Sequence, residues 1–205
     1  MKIEIKKSIK YVDYDVALKF LEKRVEDVIN RKKPELLWIL EHKPIFTAGT
    51  SSKENEILNK TINVTKTSRG GKITHHGPGQ KIVYFVLNLN ERGKDIRKLI
   101  KHVENCIIKI LKEYGIKSFS DKKNIGIWVN INGKAKKVAS IGIKVKRWIA
   151  FHGFSINISN NLEVYKNIVP CGIYSKGITN LCSIKKNNYN YINQKIINNF
   201  LRVFK

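Results

Sequence analysis

Acidic residues are scarce in this chain: 16 Asp and Glu stand against 40 Lys and Arg, for a formal charge of +24. Cysteine and proline are scarce too, at three and four residues. Three widely spaced thiols provide neither a disulfide framework nor a CxxC metal pair, which excludes a small cross-linked scaffold. No apolar run is long enough to span a bilayer. The opening Met1-Lys2-Ile3-Glu4-Ile5-Lys6 alternates charged and apolar residues instead of building a signal-peptide core. These absences predict a cytoplasmic protein with no membrane partner. The GxxxxGK[ST] pattern of a phosphate-binding loop, a zinc finger and an RNA-reading aromatic motif are likewise missing.

The positive charge taken alone suggests an acidic partner. Much of it is Lys, in a chain also crowded with Ile and Asn, a bias that an AT-rich genome produces without selection for charge. The basic residues are spread along the chain and form no block, so no nucleic-acid partner is expected. With no repeat, low-complexity linker or Pro/Gly-rich boundary, the 205 residues are read as one domain, 1–205.

The hydrophobic pattern predicts strands and helices interspersed without a regular βαβ repeat, hence an α+β fold, a mixed β-sheet with packed helices. Val16, Phe20, Leu21, Val25, Val28 and Ile29 recur at helical spacing, and Pro34 stops the helix. Leu36 to Leu40 is a continuous apolar run, the pattern of a buried strand, followed by a polar loop at Thr50 to Asn55. Further strands are expected at Ile62 to Thr65 and Lys81 to Leu89. A helix from Asp95 to Tyr114 ends at Gly115. Asn132-Gly133 between two strand-like runs is a hairpin signal, and a third strand follows from Trp148 to Ile158. A last amphipathic helix carries Ile192, Ile196, Ile197, Phe200 and Leu201. Cys106 falls on the apolar stripe of the second helix, and Cys182, between Leu181 and Ile184, also reads as structural.

Three motifs ask for more than packing. The run Arg69-Gly70-Gly71-Lys72-Ile73-Thr74-His75-His76-Gly77-Pro78-Gly79-Gln80 holds four glycines and a proline in twelve residues. Such a loop lets backbone N–H groups approach a ligand closely. A tight connection explains the glycines but not the Arg, Thr and two His among them. Adjacent His75 and His76 with no carboxylate do not make a metal site.

The second motif is Lys137. Counting by two from Lys137 gives Ala139, Ile141, Ile143 and Val145, so the lysine shares the apolar face. It is either a desolvated base or a side chain that snorkels from the strand's start. The third is Val169-Pro170-Cys171-Gly172, where proline fixes the approach and glycine leaves a backbone N–H free beside a thiol. That suits a displayed nucleophile, against the plain reading of a buried Cys in a turn. A lysine beside a thiol would supply the base that makes it a thiolate. His152-Gly153 is a further candidate wall of the same pocket.

Together, Arg69 to Gln80, Lys137 to Gly142, Phe151 to Gly153 and Pro170 to Gly172 resemble, in order, the pattern of the lipoyl(octanoyl) transferases of lipoate biosynthesis. The match extends through Thr47-Ala48-Gly49-Thr50-Ser51 to Asn157. The resemblance implies the biotin/lipoate protein ligase fold. It implies octanoyl transfer from octanoyl-acyl carrier protein to a lysine of the lipoyl domains of 2-oxoacid dehydrogenase and related complexes. Cys171 matches the acyl-thioester cysteine and Lys137 the lysine that tunes it. Arg69, Gly70, Gly71, Lys72, Ile73, Thr74, His75 and His76 match substrate-binding segments, as do Ser140, Ile141, Gly142, Gly153, Phe154 and Ser155. His75 replaces the usual aromatic and Ser140 a common Ala, changes expected to alter pocket polarity. No cofactor and no metal is implied. The competing readings are an ATP-dependent lipoate ligase on the same fold and a basic nucleic-acid-binding protein.

Overall fold

The structure, a computed structural model, describes residues 2–170 and 177–204. Cys171 and Gly172, with the nucleophile expectation they carry, lie outside the described residues.

In chain order the elements begin with strand β1 (Ile3–Lys7), helix α1 (Tyr14–Ile29) and strands β2 (Glu35–Leu40), β3 (Ile45–Ala48), β4 (Val64–Lys66), β5 (Ile73–His76) and β6 (Gln80–Asn88). Helix α2 (Ile96–Lys112), strands β7 (Phe119–Ser120), β8 (Ile127–Ile131), β9 (Lys134–Lys146) and β10 (Ile149–Asn157) follow. The described chain closes with β11 (Gly177–Ile178), α3 (Leu181–Ile184) and α4 (Ile192–Phe204). The main sheet runs β1-β2-β6-β10-β9-β8-β7, with β11 alongside β9. The β1–β2 and β11–β9 pairs are parallel, the others antiparallel. A small second sheet has the order β4-β3-β5. This is the expected α+β architecture with a mixed sheet.

Every residue of β2 is buried, because both faces of the sheet are covered there. Leu37, Ile39, Val83, Phe85 and Leu87 pack on one face with Val103, Cys106 and Ile107 of α2 and Ile196 and Phe200 of α4. Leu36, Trp38, Leu40, Ile82, Tyr84 and Val86 pack on the other with Ala17, Leu21, Val25 and Val28 of α1. The small sheet has its own cluster of Ile73, Tyr165 and Ile168. The Asp95 side chain caps α2 by accepting from the Lys98 N–H at 2.9 Å. Gly115 ends it at φ +71°.

Several expectations shift. Val16 is 59% exposed, and Tyr14, Ala17 and Arg24 take its place on the buried face of α1. Arg24 is tolerated there because its guanidinium meets the Glu4 carboxylate at 2.9 Å. The strand expected from Ile62 begins at Val64, and the Thr50 to Asn55 loop runs into a 3-10 turn at Glu54–Glu56. The glycine-rich run is not one loop, since β5 lies in its middle. Cys106 is fully buried, and burial pushes its thiol up to about 12. Cys182 is exposed, contrary to expectation, because α3 is a single turn that turns only Leu181 inward. Among the described residues no helix is long and apolar enough to cross a membrane.

Candidate active site

A cavity of about 720 Å³ lies against β9 and β10. Its floor follows from register. Ser140 stands opposite Ser155, and Gly142 opposite Gly153, so small residues pair across the two central strands and leave a trough. Ile82 and Tyr84 of β6 extend the wall. β8 pairs with β9 only as far as Ala139, and beyond that point the cavity is lined by Ser140, Ile141, Gly142, Ile143 and Val145.

The roof is the glycine-rich segment. Gly70 donates its N–H to the Ile143 carbonyl at 3.3 Å, capping the strand edge that β8 leaves open. A Cβ at Gly70 would stand 2.9 Å from that carbonyl oxygen, so the close approach requires glycine. The Arg69 guanidinium reaches back to β3, donating through Nη2 to the Thr47 carbonyl and hydroxyl, both at 2.8 Å. Lys72 Nζ lies 2.6 Å from a buried Glu56 carboxylate.

Within β5 the side chains alternate. Thr74 and His76 line the cavity, whereas Ile73 joins the small cluster with Tyr165. The His75 ring packs edge-on to Phe46 and Tyr165, with centroids 4.8 and 6.1 Å away. The imidazole thus occupies an aromatic's place in the small core, and the polarity change expected at His75 falls behind the pocket wall. Burial pushes its pKa down to about 4. Of the sequence-predicted residues, Lys137, Arg69, Gly70, Gly71, Lys72, Thr74, His76, Ser140, Ile141, Gly142, Gly153, Phe154 and Ser155 all line the cavity.

Lys137 is 2% exposed, and its burial arises differently from the expected alternation. Ile127 pairs with Ala139 while Trp128 pairs with Lys137, so Val138 is an extra residue in a β-bulge. The bulge shifts the phase. Ala139, Ile141 and Ile143 face the α2 side, and Lys137 faces the side of its partner Trp128. Its Nζ donates to the Ile125 carbonyl at 3.0 Å.

Histidines surround the far wall. His76 Nδ1 donates to Gln80 Oε1 at 2.7 Å, since the amide oxygen can only accept. Gln80 Nε2 in turn donates to Asn157 Oδ1 at 2.8 Å, and Asn157 Nδ2 to the Thr179 carbonyl at 3.0 Å. Thr179 N–H donates to the Lys137 carbonyl at 2.9 Å. A polar chain therefore links the histidine motif to the lysine strand. Burial drives the pKa of His76 well down, with the nearby His42 and Arg69 adding to the effect. His152, at φ +66°, is pushed to about 3, mainly by burial. These imidazoles are neutral at pH 7.

Pattern reading missed Tyr84, Ile96, Ile100, Lys123, Asn124 and Ile125 as cavity residues. Ile96 and Ile100 were legible only as the apolar stripe of α2, because nothing local distinguishes a stripe facing a cavity from one facing a core. Among the described residues no group of three His, Cys, Asp or Glu is arranged to hold a metal ion.

The cavity is thus an apolar trough floored by glycine and serine, roofed by the glycine-rich segment and lined by a buried lysine. The family model of the lipoyl protein ligase A/B catalytic domain matches residues 13–205, and the chain belongs to that family. An octanoyltransferase from Ehrlichia ruminantium (strain Gardel) is 44% identical over 178 residues, 86% of each chain. Another, from Wolbachia sp. subsp. Brugia malayi (strain TRS), is 42% identical over 171 residues, 83% of each. Like them, the chain is an acyltransferase.

Two solved structures share the fold. A lipoate-protein ligase A bound with ATP superposes at TM-score 0.71 and 12% identity, over 98% of this chain and 85% of that one. A bipartite lipoate protein ligase from Thermoplasma acidophilum, described with its E2 lipoyl domain, gives 0.70 and 10%, over 98% and 84%.

Proposed function

We propose that this chain moves an octanoyl group from octanoyl-acyl carrier protein to a lysine of a lipoyl domain, through a thioester on Cys171. The observation that carries the reading is how the chain flanks residues 171–176. On the entering side, Val169 N–H donates to the Glu56 carbonyl at 2.7 Å, on the residue whose carboxylate holds Lys72. On the leaving side, Gly177 and Ile178 pair with Lys136 and Lys137. Val169 is therefore tied to the residue that anchors Lys72 of the roof, and Ile178 lies alongside the buried lysine.

Those placements support the following chemistry. The Cys171 thiol gives its proton to Lys137, and the thiolate attacks the carbonyl carbon of the octanoyl thioester. The C–S bond to the carrier breaks, and Lys137 returns the proton to the departing thiolate. The acceptor amine then attacks the enzyme thioester, the C–S bond to Cys171 breaks, and the proton lost by the amine returns to Cys171 sulfur. Arg69 to His76, Ser140 to Gly142 and Gly153 to Ser155 supply the walls for the chain, with Ile73 and His75 supporting from behind. The acyl group arrives activated, so the reaction needs neither ATP nor a metal. Substrates of this kind place the enzyme in the cytoplasm, with one domain, 1–205, carrying the reaction. The lipoyl domain named with the archaeal ligase supports that class of acceptor.

Incubation with octanoyl-acyl carrier protein in the absence of ATP, followed by intact mass measurement, tests the reading. A single octanoyl adduct is expected on the wild-type chain and none on Cys171→Ser. Acylation that requires ATP and persists in Cys171→Ser would instead identify an ATP-dependent ligase.

A further inference from the structure

A lysine side chain is flexible, and holding its nitrogen at one point in a cavity requires contacts that oppose its rotamer entropy. Among the described residues, one short stretch, 124–128, supplies such contacts to Lys137. The Ile125 carbonyl accepts from Nζ at 3.0 Å. The Trp128 ring lies under the side-chain nitrogen, with its centroid 4.8 Å from Nζ. Trp128 Nε1 donates to the Asn124 carbonyl at 3.0 Å, which fixes the peptide just ahead of the accepting one. Asn124 is tied further, its Nδ2 donating to Asp121 Oδ2 at 2.9 Å.

Gly126 completes the enclosure. Its φ is +132°, and a Cβ there would lie 2.8 Å from the Ala139 carbonyl oxygen, 3.1 Å from Lys137 Cε and 3.3 Å from Nζ. Glycine is required both by the backbone conformation and by the lysine stem beside it. The bulge at Val138 brings Lys137 to this side of the sheet, directly opposite Trp128.

We infer that Trp128 and Gly126 are positioning residues for acyl transfer, forming with the Ile125 carbonyl a cradle that holds Lys137 Nζ at one point of the cavity. A packing role alone would not account for the arrangement. A buried tryptophan on a strand needs apolar neighbours and one acceptor for its N–H, whereas this one also has the Lys137 nitrogen on its face and takes as acceptor the carbonyl just ahead of the one that receives Nζ. The inference rests on the proposed role of Lys137 in the transfer.

The test is a double-mutant cycle on octanoyl transfer, with melting temperature recorded for every variant. Trp128→Leu should lower kcat about tenfold or more with KM within about twofold, the pattern of a lost transition-state interaction. Trp128→Phe, which keeps a ring under Nζ, should recover most of that loss. In a Lys137→Ala background, Trp128→Leu should have no further effect on kcat. An equal loss in both backgrounds, or no recovery in Trp128→Phe, would overturn the cradle while leaving the transferase reading intact. If Lys137→Ala itself turns over like the wild type, the role of Lys137 falls and the cradle falls with it. Should Trp128→Leu fail to fold, NMR of the wild-type chain labelled at lysine Cε decides. One ε-methylene signal, assigned by its loss in Lys137→Ala, must be shifted upfield by the indole ring, and an unshifted signal would overturn the placement.

Discussion

Glycines of the site do different work at neighbouring positions. Gly153 faces the Val83 carbonyl so closely that an added Cβ would stand 2.0 Å from its oxygen, a backbone atom of a buried central strand, with the Phe85 ring 3.3 Å away. At Gly142 a Cβ would meet the Gly70 carbonyl oxygen at 3.1 Å and the Arg69 Cδ at 3.4 Å, atoms of the roof and not of the sheet. Gly153→Ala should therefore cost more than about 4 kcal/mol and leave little folded protein. Gly142→Ala should cost about 1 kcal/mol but lower transfer activity several-fold by lifting the roof. Thermal melts beside initial rates separate the two. That glycines were needed was legible from their density between Arg69 and Gln80. Which partner each one admits was not, because the atoms that crowd Gly153 belong to β6, some seventy residues earlier in the chain.

Among elements, the ends of strands and helices are joined by charge. Glu35, at the start of β2, takes Arg92 on both oxygens, at 2.5 and 2.7 Å, and also accepts the Asn88 N–H at 2.6 Å. Arg92 Nη2 continues to the Phe204 carbonyl at 2.8 Å, tying the last turn of α4 to the sheet. Removing one partner strands a buried charge. Arg92→Ala is expected to destabilise the fold by about 3 kcal/mol, with urea denaturation as the measurement. Helices α1, α2 and α4 were readable from periodicity and strand β2 from its unbroken apolar run. β3 and β5 were not, because four-residue strands in a small, partly polar sheet carry no period of their own. The face of Lys137 was also misjudged by counting twos. One extra residue at Val138 inverts the phase, and a bulge is visible only once β8 and β9 are aligned.

Over the whole molecule, His42, His75, His76 and His152 all have pKa values lowered chiefly by burial. The unfolded chain takes up protons near 6.5, before the folded one does, so stability is complete above that pH and falls as pH drops toward the folded values. For His75 the window reaches to about 4, and for His152 to about 3. His152 alone sets a slope of about 1.4 kcal/mol per pH unit across it. Melting temperature should be flat from pH 8 to about 6.5 and fall steeply by pH 5, where carboxylates are still largely ionised. His75→Phe, which keeps the contacts with Phe46 and Tyr165, should make that fall shallower.

The amino-acid sequence by itself determined the helices, the buried central strands, the membership of the cavity roof and the singling out of Lys137 and Cys171, because periodicity, glycine density and residue chemistry are local properties. Tertiary structure alone decided that the roof closes on the exposed edge of β9. It decided that His75 turns into a small core while Thr74 and His76 face the cavity. It also decided that Lys137 is held by Trp128 and the Ile125 carbonyl. Each of these depends on strand register, which brings together residues that no sequence period connects.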